Sequence, residues 1–317
     1  MPWKKSLCGD SGMMDPEKKI HGIAIRPSKL YSVSNAVLDF ANRRVNGMVK
    51  RYMEQQIRSQ RESVDFPAKH KRRVHIHKQI YQDRPIYTIF PKGNMDQDKV
   101  MIFLHGGGGI MPPTALHFNM AVKLSKRVGC PLYFVMYPRA PKANAKEAVK
   151  WLKAWYRHII QESRSRKYYI IGDSAGANLS AALCSGGVEE MKGVILISPV
   201  PRIDEIEKYM SKYEEHDILF SKNLLKNIAA CWGKNMDMKD SDINISFVDF
   251  SRFPKTMLIY GGREIFAGAI EELVEKMRGA GIDLAVYNGE IHCHDWVLAS
   301  AFPESKRMMS EICNFIA

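Results

Sequence analysis

Residues 168–176 read Tyr-Tyr-Ile-Ile-Gly-Asp-Ser-Ala-Gly. The first four favour a short buried strand, and the residues after 176 have a helical pattern. Ser174 is therefore the central residue of a G-x-S-x-G motif between a strand and a helix, where a nucleophilic serine sits on a sharp turn. Small residues on both sides let such a turn pack. The motif alone is also compatible with an ordinary Gly/Ser-rich turn.

A second glycine stretch follows the apolar run 100–104 and reads His105-Gly106-Gly107-Gly108-Gly109. Glycines allow backbone N–H groups to face a cavity and a ligand to approach the chain closely. A phosphate-binding loop would continue with Lys and Ser or Thr, whereas this stretch continues with Ile-Met-Pro-Pro. The sequence thus favours a loop that stabilises negative charge on a reacting group, without a nucleotide cofactor.

The remaining chain alternates strand-like runs with helical patterns, which predicts an α/β fold with a mostly parallel central sheet flanked by helices. The first two strands lack an intervening helix, which indicates an antiparallel start. Strands are predicted at 74–80, 85–90, 100–104, 132–137, 168–171, 194–198, 256–260 and 284–287. Helices are predicted at 29–62, 115–127, 144–160, 177–183, 266–280 and 295–315.

The two glycine motifs, about 65 residues apart in this order, resemble those of the hormone-sensitive-lipase-like branch of the α/β-hydrolases. A third segment, Tyr-Pro-Arg-Ala-Pro at 137–141, is similar to that family's Y-R-L-A-P stretch. The resemblance covers roughly residues 74–317. It implies a helical cap, with residues 1–70 as an N-terminal cap segment. Residues 71–317 then form the catalytic domain, which carries a cap insertion at about 201–250.

The acid of a serine–acid–histidine triad should follow the strand predicted at 256–260. The family usually has Asp at the position that Glu264 occupies here. Glu can fill the same role, because it also accepts a hydrogen bond from the imidazole. Asp295 is a poorer candidate because it adjoins the histidine, and Asp283 precedes the next strand at its wrong end.

Two histidines, His292 and His294, follow the last predicted strand. The family places its catalytic histidine before an acidic or small residue and an aromatic one, which selects His294, followed by Asp295 and Trp296. His292 remains the alternative. The His-Cys-His spacing has no accompanying carboxylate cluster, so no metal site is predicted.

The resemblance implies ester hydrolysis through an acyl-enzyme, with Ser174 as nucleophile, His294 as base and Glu264 as its acid partner. It also implies an oxyanion hole formed by the backbone N–H groups of Gly107, Gly108 and Ala175. The expected partner is a small-molecule acyl ester with a short to medium acyl chain, and no cofactor is required. A non-catalytic ligand receptor on the same fold, an amidase and a peptidase remain alternatives. The sequence is compatible with a monomer or a dimer.

The composition of the 317 residues is that of a globular protein, with 45% hydrophobic and 26% charged residues and a formal net charge of +13. Residues 1–99 hold 20 Lys/Arg against 10 Asp/Glu, so most of the excess lies in the segment that includes the expected cap. This charge could serve solubility or peripheral contact with an anionic membrane, and nucleic-acid binding lacks a supporting motif. Six dispersed cysteines and a charged N-terminal stretch without an apolar core favour a cytoplasmic protein with reduced thiols.

Overall fold

The computed structural model describes residues 23–26, 28, 64–162, 167–213, 217 and 219–317. The helix predicted at 29–62 lies outside the described residues. Within them, the strands are β1 (Ile23–Ile25), β2 (Val74–Tyr81), β3 (Arg84–Pro91), β4 (Lys99–Leu104), β5 (Leu132–Val135), β6 (Lys167–Asp173), β7 (Met191–Ile197), β8 (Thr256–Gly261) and β9 (Leu284–Gly289).

These strands form one sheet in the order β1-β9-β8-β7-β6-β4-β5-β3-β2. The pairs β2–β3 and β3–β5 are antiparallel, and the remaining pairs are parallel. The predicted α/β class and its antiparallel start are therefore confirmed. The sequence pattern does not predict β1, which adds to the sheet edge beside β9 with Ile23 opposite Tyr287.

The helices are α1 (Ala115–Val128), α2 (Ala145–Glu162), α3 (Ala175–Cys184), α4 (Ile206–Tyr213), α5 (Lys222–Trp232), α6 (Ala267–Gly279) and α7 (Pro303–Ile316). The predicted helix 295–315 is wrong at its start. A single 3₁₀ turn spans Trp296–Leu298, and the α-helix begins only at Pro303. Proline is common in the first turn of a helix, because the N–H groups of that turn have no acceptor within the helix and proline has no N–H.

Two hydrophobic cores lie on the two faces of the sheet. In β4, Ile102 and Leu104 belong to one core, whereas Met101 and Phe103 belong to the other. This alternation follows from the two-residue period of a strand, and it explains why the central strands are apolar throughout. Helices α2, α3 and α6 cover the first core, and α1 and α7 cover the second.

The carboxyl ends of the parallel strands meet at one edge of the sheet, where ligands bind in open α/β folds. The loop of residues 105–109 follows β4, and Ser174 follows β6. Glu264 follows β8, and His294 follows β9. Helices α4 and α5 come from the segment 201–250, which joins β7 to β8 at this same edge.

Candidate active site

Ser174 occupies a strained turn between β6 and α3. Its backbone has φ 52° and ψ −121°, a conformation that residues other than glycine rarely adopt. A Cβ atom on Gly172 would lie 2.2 Å from the carbonyl oxygen of Gly176, and one on Gly176 would lie 2.1 Å from that of Leu104. Both flanking positions therefore require glycine. The turn holds Ser174 at the N-terminus of α3, where the helix dipole favours developing negative charge.

The glycine loop after β4 adopts conformations that glycine permits. Gly107, Gly108 and Gly109 have φ values of 107°, 65° and 67°. The insertion packs directly on this loop: Cβ atoms on Gly108 and Gly109 would lie 2.9 Å from Ile228 and 2.2 Å from Trp232 of α5. Glycine is thus required both by the turn and by the close approach of α5.

Asp173, the residue before Ser174, anchors the same loop. Its carboxylate is fully buried, and Oδ2 accepts the backbone N–H of Gly106 at 2.9 Å and the Nε2–H of His117 at 3.0 Å. The Nδ1 atom of His117 accepts the backbone N–H of Thr114 at 2.9 Å, which fixes the tautomer of the ring. The sequence motifs predict no role for Asp173 or His117, although Asp173 lies inside the G-x-S-x-G motif.

His105 is a buried part of the loop scaffold. Its ring stacks on that of Tyr137 at 4.7 Å between centroids, and the Tyr137 hydroxyl donates to the carbonyl of His105 at 2.6 Å. Burial holds the pKa of His105 well below its usual value, so the ring is neutral. Arg139 donates from Nη1 to the carbonyl of Ile110 at 2.7 Å and fastens the far end of the loop.

His294 and Glu264 form a buried pair. The Nδ1 atom of His294 lies 3.1 Å from Oε2 of Glu264, and the two side chains are 2% and 0% exposed. A carboxylate only accepts, so Nδ1 carries the proton and the neutral ring leaves Nε2 as the acceptor. Burial raises the pKa of Glu264, whereas its hydrogen bond from His294 opposes that rise.

Charge around the imidazole stabilises its protonated form. Burial opposes the charged ring, but Asp295 and then Glu264 outweigh burial and raise the pKa of His294 to about 9. Oδ2 of Asp295 lies 3.3 Å from Nε2 of His294. The backbone N–H of Asp295 donates to Oγ of the buried Ser198 at 3.0 Å, which holds the turn after the imidazole.

Of the alternative acids, Asp295 faces Nε2 of His294, whereas Glu264 bonds to Nδ1. His292 and Asp283 have different surroundings. The ring of His292 is buried against Trp296, at 4.4 Å between centroids, and burial lowers the pKa of His292 to about 4. Asp283 directly precedes β9, and its carbonyl accepts the N–H of Thr256 at the amino-terminal edge of the sheet. The geometry therefore pairs Glu264 with His294.

An apolar cleft opens beside Ser174, with about 480 Å³ of space that includes part of the open solvent. Gly108 and Ala175 line it together with Ser174. Gly107 precedes Gly108 in the same loop, and its carbonyl accepts the N–H of Met111 at 2.9 Å. The other lining residues are Asn178, Val200, Ile203, Ile206, Phe220, Leu225, Ile228, Trp232, Ile243 and Phe266.

Two of the lining rings also flank the imidazole. The ring centroids of Phe220 and Phe266 lie 4.9 Å and 5.7 Å from that of His294. The cleft therefore brings the strained serine and the surroundings of the histidine together. Sequence reasoning did not identify Phe220, because a single aromatic residue in an insertion carries no periodic signal.

The described residues contain no group of three or more His, Cys, Asp and Glu side chains that could hold a metal ion. In that same part of the chain, no helix has both the length and the apolar character needed to cross a bilayer.

The sheet, the strained serine and the buried histidine–carboxylate pair define an α/β-hydrolase. Comparison with protein families agrees: a family model described as having the alpha/beta hydrolase fold matches residues 101–297, more than half of the chain. The chain belongs to this family of hydrolases, which confirms the family resemblance seen in the motifs.

Among curated proteins, the chain is similar to an esterase of Acinetobacter venetianus, with 25% identity over 233 residues, 71% of this chain and 76% of that protein. It is also 25% identical to the carboxylesterase/phospholipase LipF of Mycobacterium tuberculosis over 238 residues, 69% of this chain and 61% of that protein.

Solved structures share the fold. A putative esterase from Staphylococcus aureus aligns with a TM-score of 0.75 at 17% identity, covering 84% of this chain and 91% of that one. A hormone-sensitive lipase from a metagenome library aligns with a TM-score of 0.73 at 19% identity, covering 90% and 97%.

Proposed function

We propose that this protein is a serine carboxylic-ester hydrolase that acts through an acyl-enzyme on short- to medium-chain acyl esters. The observation that carries the proposal is the buried His294–Glu264 pair beside the cleft that Ser174 lines. The names of the relatives, which include an esterase and a carboxylesterase, support the same substrate class.

In the first half-reaction, Oγ of Ser174 attacks the ester carbonyl carbon and its proton passes to Nε2 of His294. The hydrogen bond from Nδ1 to Glu264 fixes the required tautomer, and the carboxylate stabilises the imidazolium that forms. The carbonyl oxygen becomes an oxyanion. We assign the backbone N–H groups of Gly107, Gly108 and Ala175 as the donors of its hydrogen bonds.

Collapse of this intermediate breaks the carbon–oxygen bond to the alcohol, which takes the proton from His294. Water then attacks the acyl-enzyme, and His294 accepts a proton from that water. A second collapse releases the carboxylic acid and returns the proton to Ser174. This cycle balances without a metal or a redox cofactor.

The apolar cleft beside Ser174 is suited to a substrate with an apolar acyl or alcohol group of limited size. Its walls come largely from the insertion, in which Leu225, Ile228 and Trp232 face the cleft. We therefore propose that the segment 201–250 acts as a lid that sets substrate size, as part of the cap of the 71–317 domain. A role for residues 1–70 in the same cap is part of this proposal.

The test is hydrolysis of p-nitrophenyl esters from acetate to octanoate by the wild-type protein, Ser174→Ala and Ser251→Ala. Ser251 is an exposed loop serine and serves as the matched control. We expect activity in the wild type and Ser251→Ala and its loss in Ser174→Ala. Unchanged activity in Ser174→Ala would rule out this nucleophile.

Two further measurements separate the alternative functions. A fluorophosphonate probe labels an activated serine, so a folded wild-type protein that stays unlabelled and inactive would be a ligand receptor. Matched ester and anilide substrates with the same acyl group distinguish an esterase from an amidase or peptidase. We expect kcat/KM to favour the ester.

A further inference from the structure

Asp217 is a buried carboxylate in the insertion, between α4 and α5, that the proposed mechanism does not use. It is 1% exposed. Oδ1 accepts the backbone N–H groups of Leu219 at 2.7 Å and Phe220 at 2.9 Å, and Oδ2 accepts that of Ile265 at 2.7 Å. Burying a carboxylate is costly unless donors of this kind satisfy it.

The two carboxylate oxygens bind different parts of the molecule. The bonds to Oδ1 fold the insertion into a tight turn that begins at Asp217. The bond to Oδ2 reaches the residue directly after Glu264, 48 positions along the chain. One side chain therefore ties the insertion to the loop that carries the acid of the proposed triad.

The turn places Phe220 against the imidazole. The rings of Phe220 and His294 meet nearly edge to face, with centroids 4.9 Å apart and an interplanar angle of 82°. Phe220 also packs against Phe266, at 5.9 Å between centroids, and both rings line the cleft. Phe220 thus covers part of the imidazole of His294 on the side of the cleft.

A structural turn alone does not require a buried charge. Asp237, in the same insertion, uses Oδ1 to accept the N–H of Lys239 at 2.9 Å, and it does so on the exposed surface. Asp217 likewise accepts the N–H of the residue two positions ahead, but it is buried, and desolvation raises the pKa of its carboxyl group. The negative charge of Asp217 raises the pKa of His294. The extra feature of Asp217 is its link to Ile265 and the imidazole.

We propose that Asp217 is a positioning residue that links the insertion to the proton-transfer pair. It holds Phe220 against His294 and at the same time fixes the backbone next to Glu264. This inference rests on the proposed function, because it assigns Asp217 to the reaction of that same site.

Asp217→Asn tests the link with little change in volume. An amide has one acceptor oxygen, so its NH₂ group faces either the N–H groups of the turn or that of Ile265. In both orientations a buried donor loses its acceptor, and the charge is lost. We expect kcat to fall about 10–100-fold, the scale for small misplacements of catalytic groups, with a smaller change in KM.

The matched control is Asp237→Asn, which removes a charge at the surface while its amide oxygen can still accept the N–H of Lys239. We expect it to retain wild-type kcat and KM. Turnover is divided by the number of serines that a fluorophosphonate labels, so that only folded sites are counted. Asp217→Glu, which keeps the charge, should recover part of the lost kcat.

A pH profile supplies a readout that a purely structural role would not change. Among the described residues, Asp295, Glu264 and Asp217 are the carboxylates that raise the pKa of His294, and burial opposes them. Removing the charge of Asp217 should therefore move the acid limb of kcat/KM to lower pH. Wild-type turnover per labelled site together with an unchanged acid limb in Asp217→Asn would overturn the proposal.

An NMR titration separates failure of the proposed function from failure of the role proposed for Asp217. If the wild-type protein hydrolyses no ester, titration of the His294 ring by NMR still decides the role of Asp217. A lowered pKa and an altered environment of His294 in Asp217→Asn, but not in Asp237→Asn, would support the positioning role. An unchanged titration would overturn it.

Discussion

Oδ2 of Asp173 accepts the backbone N–H of Gly106 at 2.9 Å, so the residue before the proposed nucleophile holds the loop of the proposed oxyanion hole. A Cβ atom on Gly106 would lie 2.3 Å from that same oxygen. The nucleophile turn after β6 and the glycine loop after β4 are therefore fixed to each other through one buried carboxylate.

Replacing Asp173 by Ala should displace the glycine loop while leaving Ser174 in place. Oδ2 accepts from both Gly106 and His117, and an alanine side chain accepts from neither. We expect kcat to fall about 10²–10³-fold, the scale for loss of an oxyanion-hole donor, with fluorophosphonate labelling slowed in parallel. Steady-state kinetics and labelling rates measure both effects.

The role of Glu264 as the acid partner of His294 can be tested by changing the charge and the length of its side chain separately. Glu264→Gln keeps the shape but removes the charge that stabilises the imidazolium, so we expect kcat to fall by about 10²–10⁴-fold. Glu264→Asp keeps the charge but retracts it by one methylene from Nδ1 of His294, so we expect a smaller loss. Kinetics on p-nitrophenyl butyrate measure both. Full activity in Glu264→Gln would show that another group orients His294.

Much of this site can be predicted from the sequence because its determinants are local. The turn at Ser174 needs glycine two residues away on either side, and the clashes at Gly172 and Gly176 show why. Strand and helix periodicity places the motifs at the ends of strands, and the carboxyl ends of parallel strands then meet at one edge. That arrangement brings the residues after β8 and β9 to the same edge, whereas the choice of His294 and Glu264 among them comes from the family resemblance.

The features that the sequence does not reveal depend on contacts between distant residues. β1 has three residues, too few for a periodic signal, and it exists as a strand through its pairing with β9. Asp217 and its partner Ile265 are 48 positions apart, and no pattern in either segment predicts their contact. The start of α7 depends on Pro303, whereas apolar spacing alone extends the helix to residue 295.

The pH dependence of activity should reflect the charges around His294. The proposed base acts when it is neutral, and its pKa is raised to about 9, chiefly by Asp295 and Glu264 against the effect of burial. Activity is therefore expected above this pKa and should be lost as the pH falls through it. The acid limb of kcat/KM, measured in a pH-stat with correction for spontaneous hydrolysis, should lie near pH 9.

Asp295→Asn should move this limb to lower pH, because it removes the strongest attraction for the imidazolium. Asn tolerates the left-handed backbone at this position, where φ is 56°, and the backbone bond to Ser198 is retained. Asp237→Asn removes a charge from the surface and should leave the limb in place. An unshifted limb in Asp295→Asn would show that its carboxylate does not act on Nε2 of His294.

Ile228 should limit the size of the group that the cleft accepts. It projects from α5 into the cleft and lies against Gly108, with 8% of its surface exposed. Ile228→Ala removes three carbons from this wall, and one methylene in an apolar pocket changes discrimination by about 10–200-fold. We therefore expect the ratio of kcat/KM for octanoate to that for butyrate to rise at least about tenfold. Ile228→Val, which removes one carbon, should shift the ratio less, and an equal loss on every chain length in Ile228→Ala would mean that this residue supports the loop without setting substrate size.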